Sequence, residues 1–138
     1  MVFLMAQKIS GVLIAGQYID RGDPATVDVD QTGLTLDGTW NGWDLGPGGA
    51  GILPVGATAV ELIILSMVNT VKGKSLSFRK NGNTNTINVL TAKNQIANDN
   101  FPWGGKVSCD VNGVIEYFGT GTAPGWTSVQ VVVRGYYT

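Results

Sequence analysis

The chain of 138 residues contains no histidine and a single cysteine, Cys109. Without histidine there is no Ser-His-Asp triad, no Cys-His pair and no imidazole ligand for a metal. One cysteine cannot close an intramolecular disulfide, and a chain of this length buries enough surface to fold without one. Charge is scarce too: Asp, Glu, Lys and Arg make up 14% of the residues, against roughly 25% in an average soluble domain. Nine basic and ten acidic residues nearly cancel, and the lysines are scattered from Lys8 to Lys106 with no basic run. No strong electrostatic attraction to a phosphate backbone is expected, a local patch formed by folding aside, and no nucleic-acid partner is expected.

Long apolar runs are missing as well. Met1 to Ala6 is apolar but short, has no basic residue ahead of it, and is broken by Gln7 and Lys8. It is neither a secretory signal nor a membrane span, so no membrane insertion is expected. Residues 1–7 read as an N-terminal arm on a neighbouring subunit or as a first strand. Met1 is what a chain beginning at its natural start would carry.

What the sequence does hold is punctuation: twenty glycines and five prolines, spread between apolar stretches of period two. Strands are predicted at Lys8 to Ala15, Thr26 to Asp30, Leu34 to Leu36, Ser75 to Lys80 and Thr86 to Leu90. Others are predicted at Lys106 to Asp110, Val114 to Phe118 and Trp126 to Tyr137. The run Ala57 to Ser66 has the length of a short buried helix, but its β-branched residues and flanking glycines favour a central strand. Asn81-Gly82 is a hairpin signal in a longer polar stretch, and Asn112-Gly113 repeats it. Pro47 to Gly51 is a loop, and only Ala92 to Asn98 has room for a turn or two of helix. The predicted fold is all-β: one domain over 1–138, an antiparallel, jelly-roll-like β-sandwich of about eight strands.

Candidate sites are few. Cys109 alternates with Val107 and Val111 and reads as a small buried hydrophobe. Asp28 and Asp30 share one face, but with Asp110, Asn112 and Glu116 they lack the alternating oxygen series of a calcium loop. They read as solvated strand and turn residues, and no metal or cofactor is expected. Glu61 and Glu116 stand in strand-like runs as the remaining carboxylates for a two-acid glycosidase, a weak case. Arg79 has three fates, a pair with Glu61, a pair with Glu116, or solvent, with solvent slightly favoured.

Trp40, Trp43, Trp103 and Trp126 are the ligand-stacking or interface candidates. Trp40 and Trp43 read as part of a turn-rich loop, Trp103 follows Phe101-Pro102, and Trp126 follows Pro124-Gly125. Packing at the ends or edges of the core comes first among their roles, a subunit contact second, and stacking on a sugar face third.

Two stretches carry a resemblance. Ile52 to Val60 runs on to Leu76 to Asn83, with a proline, glycine and alanine, a buried strand, then Arg79-Lys80-Asn81-Gly82. Val107 to Tyr117 is followed by Trp126 and Val133-Arg134-Gly135-Tyr136. Over residues 50–137 the chain resembles small β-sandwich domains of bacteriophage virion and tail-associated proteins; residues 1–49 are not covered. The resemblance implies a structural or receptor-facing virion component assembled as a symmetric homo-oligomer with other structural proteins, and it carries over no catalytic residue. The leading expectation is thus a non-enzymatic structural or assembly domain with an adhesion role. The alternative is a carbohydrate-binding module that uses loop tryptophans.

Overall fold

A computed structural model describes residues 16–121 and 125–138. The expected arm at 1–7 and the strand at Lys8 to Ala15 lie outside the described residues. Nine strands follow: β1 Tyr18–Asp20, β2 Val29–Asp30, β3 Trp40–Asp44, β4 Ala59–Asn69, β5 Ser75–Lys80, β6 Leu90–Lys93, β7 Trp103–Ser108, β8 Val114–Gly119 and β9 Trp126–Tyr137. They form two antiparallel sheets. One runs β1-β9-β4-β7, with β2 beside β1 on the same edge of β9; the other runs β3-β8-β5-β6. After β2 only β5 and β6 are consecutive in one sheet, and every other connection crosses to the opposite layer. This is the jelly-roll-like sandwich expected.

The predicted central strand is β4, flanked by β9 and β7. Val60, Leu62 and Ile64 face inward by simple alternation. A register shift between Ile64 and Ser66 then makes Leu65 a bulge residue, after which Met67 and Asn69 point inward instead. From the opposite sheet Leu76, Phe78, Ile115 and Tyr117 meet them, and Val129, Val131 and Val133 fill the layer from β9. Alternation in β4, β5, β8 and β9 thus supplies one continuous core.

Two buried asparagines hold the loops at one end of the sandwich. Asn94 accepts from the Lys74 amide at 2.6 Å and donates to Val71 O at 2.8 Å. Asn69 accepts from the Val71 amide at 2.9 Å. Ala92 and Lys93 belong to β6, and the turn or two of helix for which Ala92 to Asn98 had room does not form.

The free side of β9 is closed by more than strands. Between β1 and β2 the chain leaves the sheet edge, and side chains take over its hydrogen bonds. Asp28 accepts from the Val133 amide at 2.7 Å and from Arg21 at 2.5 Å, while Arg21 donates to Val133 O at 3.1 Å. Gln31 accepts from the Val129 amide at 3.0 Å. An open edge is a template for pairing with other chains, and these groups occupy it.

Several expected strands fall elsewhere. Leu34 to Leu36 is not a strand, although Leu34 is buried in the core. Thr86 to Leu90 is mostly loop, with Leu90 alone opening β6, because Phe78 pairs with Leu90 and leaves residues 81–89 as the connection. Asn81-Gly82 sits inside that connection as a tight turn: the Asn83 amide donates to Lys80 O, and Gly82 has φ 87°. A positive φ at the third residue is the signature of a type II turn, and glycine supplies it without strain.

Candidate functional site

The four tryptophans divide three to one. Trp43, Trp103 and Trp126 pack against the core. All three stand in strands rather than loops, as does Trp40: Trp40 and Trp43 lie in β3, Trp103 opens β7 and Trp126 opens β9. The turn-like residues Asn41 and Gly42 are paired with Tyr117 and Glu116 of β8, which a single strand's composition does not reveal. Trp103 pairs with Ile64 and Trp126 with Asn69, so both face inward and cover the same end of the sandwich. Their indole N–H groups are buried and have no hydrogen-bond partner among the described residues. These two behave as core caps.

Trp40 faces the other way. It lies on the outer face of the four-stranded sheet, 5.5 Å from the Phe118 ring centre and 4.0 Å from the guanidinium carbon of Arg79. Arg79 in turn binds Glu116 at 2.5 Å. The cation is therefore paired and stacked, not in solvent as slightly favoured from sequence. Its planar group suits both contacts at once. Because the guanidinium stands over the ring, that face of Trp40 is occupied by the protein itself. Glu61 projects from the outer face of the opposite sheet, where Tyr137 donates to it at 3.4 Å. The two glutamates thus lie on opposite outer faces of the sandwich, too far apart for a shared acid–base site.

Other acids serve the backbone. Asp30 accepts from Thr32 and Gly33, and Asp37 from Thr39 and Asn41. Those bonds, led by the threonine hydroxyls, hold both carboxyls below the ordinary value. Cys109 is buried and donates to Ala57 O at 3.3 Å; burial, then the Asp110 charge, pushes its thiol up and away from reactivity. Among the described residues no three His, Cys, Asp or Glu side chains come together as a metal would need.

The most exposed apolar groups gather at one end. Loops 45–58, 81–89 and 109–113 all emerge where β3, β5 and β7 finish and β4 and β8 begin. Each carries one aliphatic side chain in solvent: Val55 is 86% exposed, Ile87 91% and Val111 89%. Turn geometry puts two of them there. Ala57 donates to Pro54 O and Gly113 to Asp110 O, so Val55 and Val111 each hold the second position of a four-residue turn. That side chain points away from the chain reversal, and Gly56, with φ 92°, completes the first turn. Val55 and Val111 flank one hollow of about 470 Å³, and Val111 also borders a second of about 480 Å³ lined by Asn88, next to Ile87.

No protein-family model, curated protein or solved structure matches the chain. Sequence reasoning singled out tryptophan, set Val111 on the buried face of Val107 and Cys109 although it is 89% exposed, and passed over Val55 and Ile87. Their signal was present: Pro54-Val55-Gly56 and Asp110-Val111-Asn112-Gly113 each set a valine inside turn-forming residues, where it cannot join a strand face. The second of these also read as a hairpin, but β7 and β8 belong to different sheets, and the turn carries the chain across the sandwich.

Proposed function

We propose that this domain is a non-enzymatic structural or assembly module that meets its own copies and other structural proteins through the end bearing Val55, Ile87 and Val111. The observation that carries the reading is the concentration there of three aliphatic side chains, each more than 85% exposed. Single exposed hydrophobics are ordinary; three on separate loops at one end are what an interface centre provides. The low charge of the chain, 14%, supports the same reading, since it weakens repulsion between copies. With the resemblance over residues 50–137, the setting proposed is a bacteriophage virion or tail, and the role adhesion or assembly within it.

Light scattering coupled to size exclusion tests this. The wild-type chain is expected at a multiple of 14.5 kDa. The triple variant Val55→Ser, Ile87→Ser, Val111→Ser is expected as a folded monomer. A monomeric wild type, or an oligomer indifferent to the triple variant, refutes the assembly reading.

Stacking of sugars on tryptophan has less support: three of the four rings pack on the core, and Arg79 stands over the fourth.

A further inference from the structure

A hollow of about 480 Å³ lies beside Val111. It opens where the two sheets part, between the start of β4, the 81–89 connection and the end of β7. Polar groups converge on it from four chain segments: Thr58, Lys80, Asn83, Asn88, Ser108 and Asp110. Ala57 and Val111 add an apolar wall. No tryptophan borders it.

Asp110 is fixed before any ligand arrives. One carboxylate oxygen accepts from the Asn112 and Val114 amides at 2.9 Å each, and the other from Asn81 at 2.7 Å. Lys80 is not so engaged. The two ion pairs among the described residues are Arg21–Asp28 and Arg79–Glu116. The ammonium of Lys80 lies near enough to Asp110 to help hold its carboxyl ionised, yet forms no ion pair with it. One positive and one negative group side by side exert no net pull on an ion. They do offer strong donors and acceptors to a neutral molecule rich in hydroxyls. The amides of Asn83 and Asn88 and the hydroxyls of Thr58 and Ser108 are donors and acceptors of the same kind.

We infer that this cleft binds a neutral sugar unit. Ring hydroxyls would be taken by Lys80, Asn88, Ser108 and Asp110, and the C–H face would rest on Val111. The inference does not follow from the assembly proposal, but Val111 belongs to both surfaces, so a sugar and a neighbouring copy compete for it. Sugar recognition here comes from a polar cleft built around one fixed carboxylate rather than from stacking on the indoles.

The probes are D-glucose, D-galactose, D-mannose and N-acetylglucosamine, each titrated to about 50 mM into the full chain and followed by amide NMR. Millimolar dissociation constants are the expected range for so open a site. At least one sugar should give saturable shifts confined to the amides around Asn83, Asn88, Ser108 and Val111. Asn88→Ala and Ser108→Ala should each weaken that binding at least about fivefold, the loss of a typical hydrogen bond. Both should leave the melting midpoint in place, and Trp40→Ala should leave the binding unchanged. The inference is overturned if none of the four sugars saturates, if the shifts centre on Trp40, or if the Asn88 and Ser108 variants bind as the wild type does. Light scattering on the same samples reads the assembly proposal separately: an oligomer that dissociates as a sugar saturates agrees with both, whereas a monomer that still binds sugar refutes assembly alone.

Discussion

Replacing Asp28 by alanine removes one carboxylate oxygen that serves two donors, the Arg21 guanidinium at 2.5 Å and the Val133 amide at 2.7 Å. The Asp28 side chain is 8% exposed and that of Arg21 26%. A hydrogen bond to a charged group contributes about 1.5–3 kcal/mol, and a buried amide left without an acceptor costs about 1–3 kcal/mol. Arg21 can regain water once its partner is gone, which places the first figure near its lower end. The sum for Asp28→Ala is then about 3 kcal/mol. Asp28→Asn keeps an acceptor for Val133 and loses only the charge, at about 1 kcal/mol. Arg21→Ala removes the bond to Val133 O and leaves the carboxylate on a single donor, at about 1–2 kcal/mol. For a chain of this size 3 kcal/mol corresponds to a fall in Tm of about 12 °C. Urea unfolding measures the order of the three variants, and native-state exchange of the Val133 amide reports whether the sheet edge has opened. Asp28→Ala within about 0.5 kcal/mol of the wild type, or a Val133 amide as protected as before, refutes the view that these side chains act as a missing piece of strand.

The tryptophans make a second set: Trp103→Ala and Trp126→Ala should each cost about 3–5 kcal/mol in denaturant unfolding, because each opens the core. Trp40→Ala should cost about 1–2 kcal/mol, from one cation–π and one aromatic contact. Equal losses at all three positions would remove the distinction between core caps and an outer-face residue. The third prediction concerns acid. Burial raises the Asp110 carboxyl, but the Asn81 side chain and the Val114 and Asn112 amides outweigh it, and the net position is below the ordinary 3.8. A carboxyl depressed by folding stabilises the native state above its unfolded value, and that contribution is lost as the pH falls through the folded one. Asp110→Asn should therefore be less stable than the wild type at neutral pH, and the gap should narrow as the pH falls from about 5 to about 2. A gap that stays constant across that titration counts against the assignment.

The elements legible from sequence are those whose own side chains decide them. Val129 to Val133 and Val60 to Ile64 are rich in β-branched residues, which favoured a strand even where the length of Ala57 to Ser66 also suited a short buried helix, and both lie in the central strands β9 and β4. Ser75 to Lys80 alternates so regularly that β5 is found with its predicted bounds. Trp40 to Asp44 failed for the opposite reason. Asn41 and Gly42 are poor strand formers, and only pairing with β8 makes β3 extended. The Asp110 to Gly113 turn shows a different limit: the same four residues serve a hairpin or a crossover, and which sheet receives β8 depends on partners far along the chain. Arg79 could reach several partners from an isolated strand, and register alone set it opposite Glu116. At the candidate site, Asn88, Ser108 and Lys80 come from three elements that adjoin only once both layers are closed.

The pairing of β9 has a consequence for how the molecule is made. β9 lies between β4 on one side and β1 and β2 on the other, so three earlier strands wait for residues 126–137. On the ribosome the layer of β3, β5, β6 and β8 has all its strands before β9 has left the exit tunnel, whereas β1 and β2 have nothing to pair with. Until then one edge of β4 has no strand beside it and the core lacks Val129, Val131 and Val133, and a nascent chain in that state is a natural client for a chaperone. Translation that stalls ahead of Trp126 leaves a half-built sandwich with its most hydrophobic strand on show, a species for quality control to remove rather than a smaller working domain.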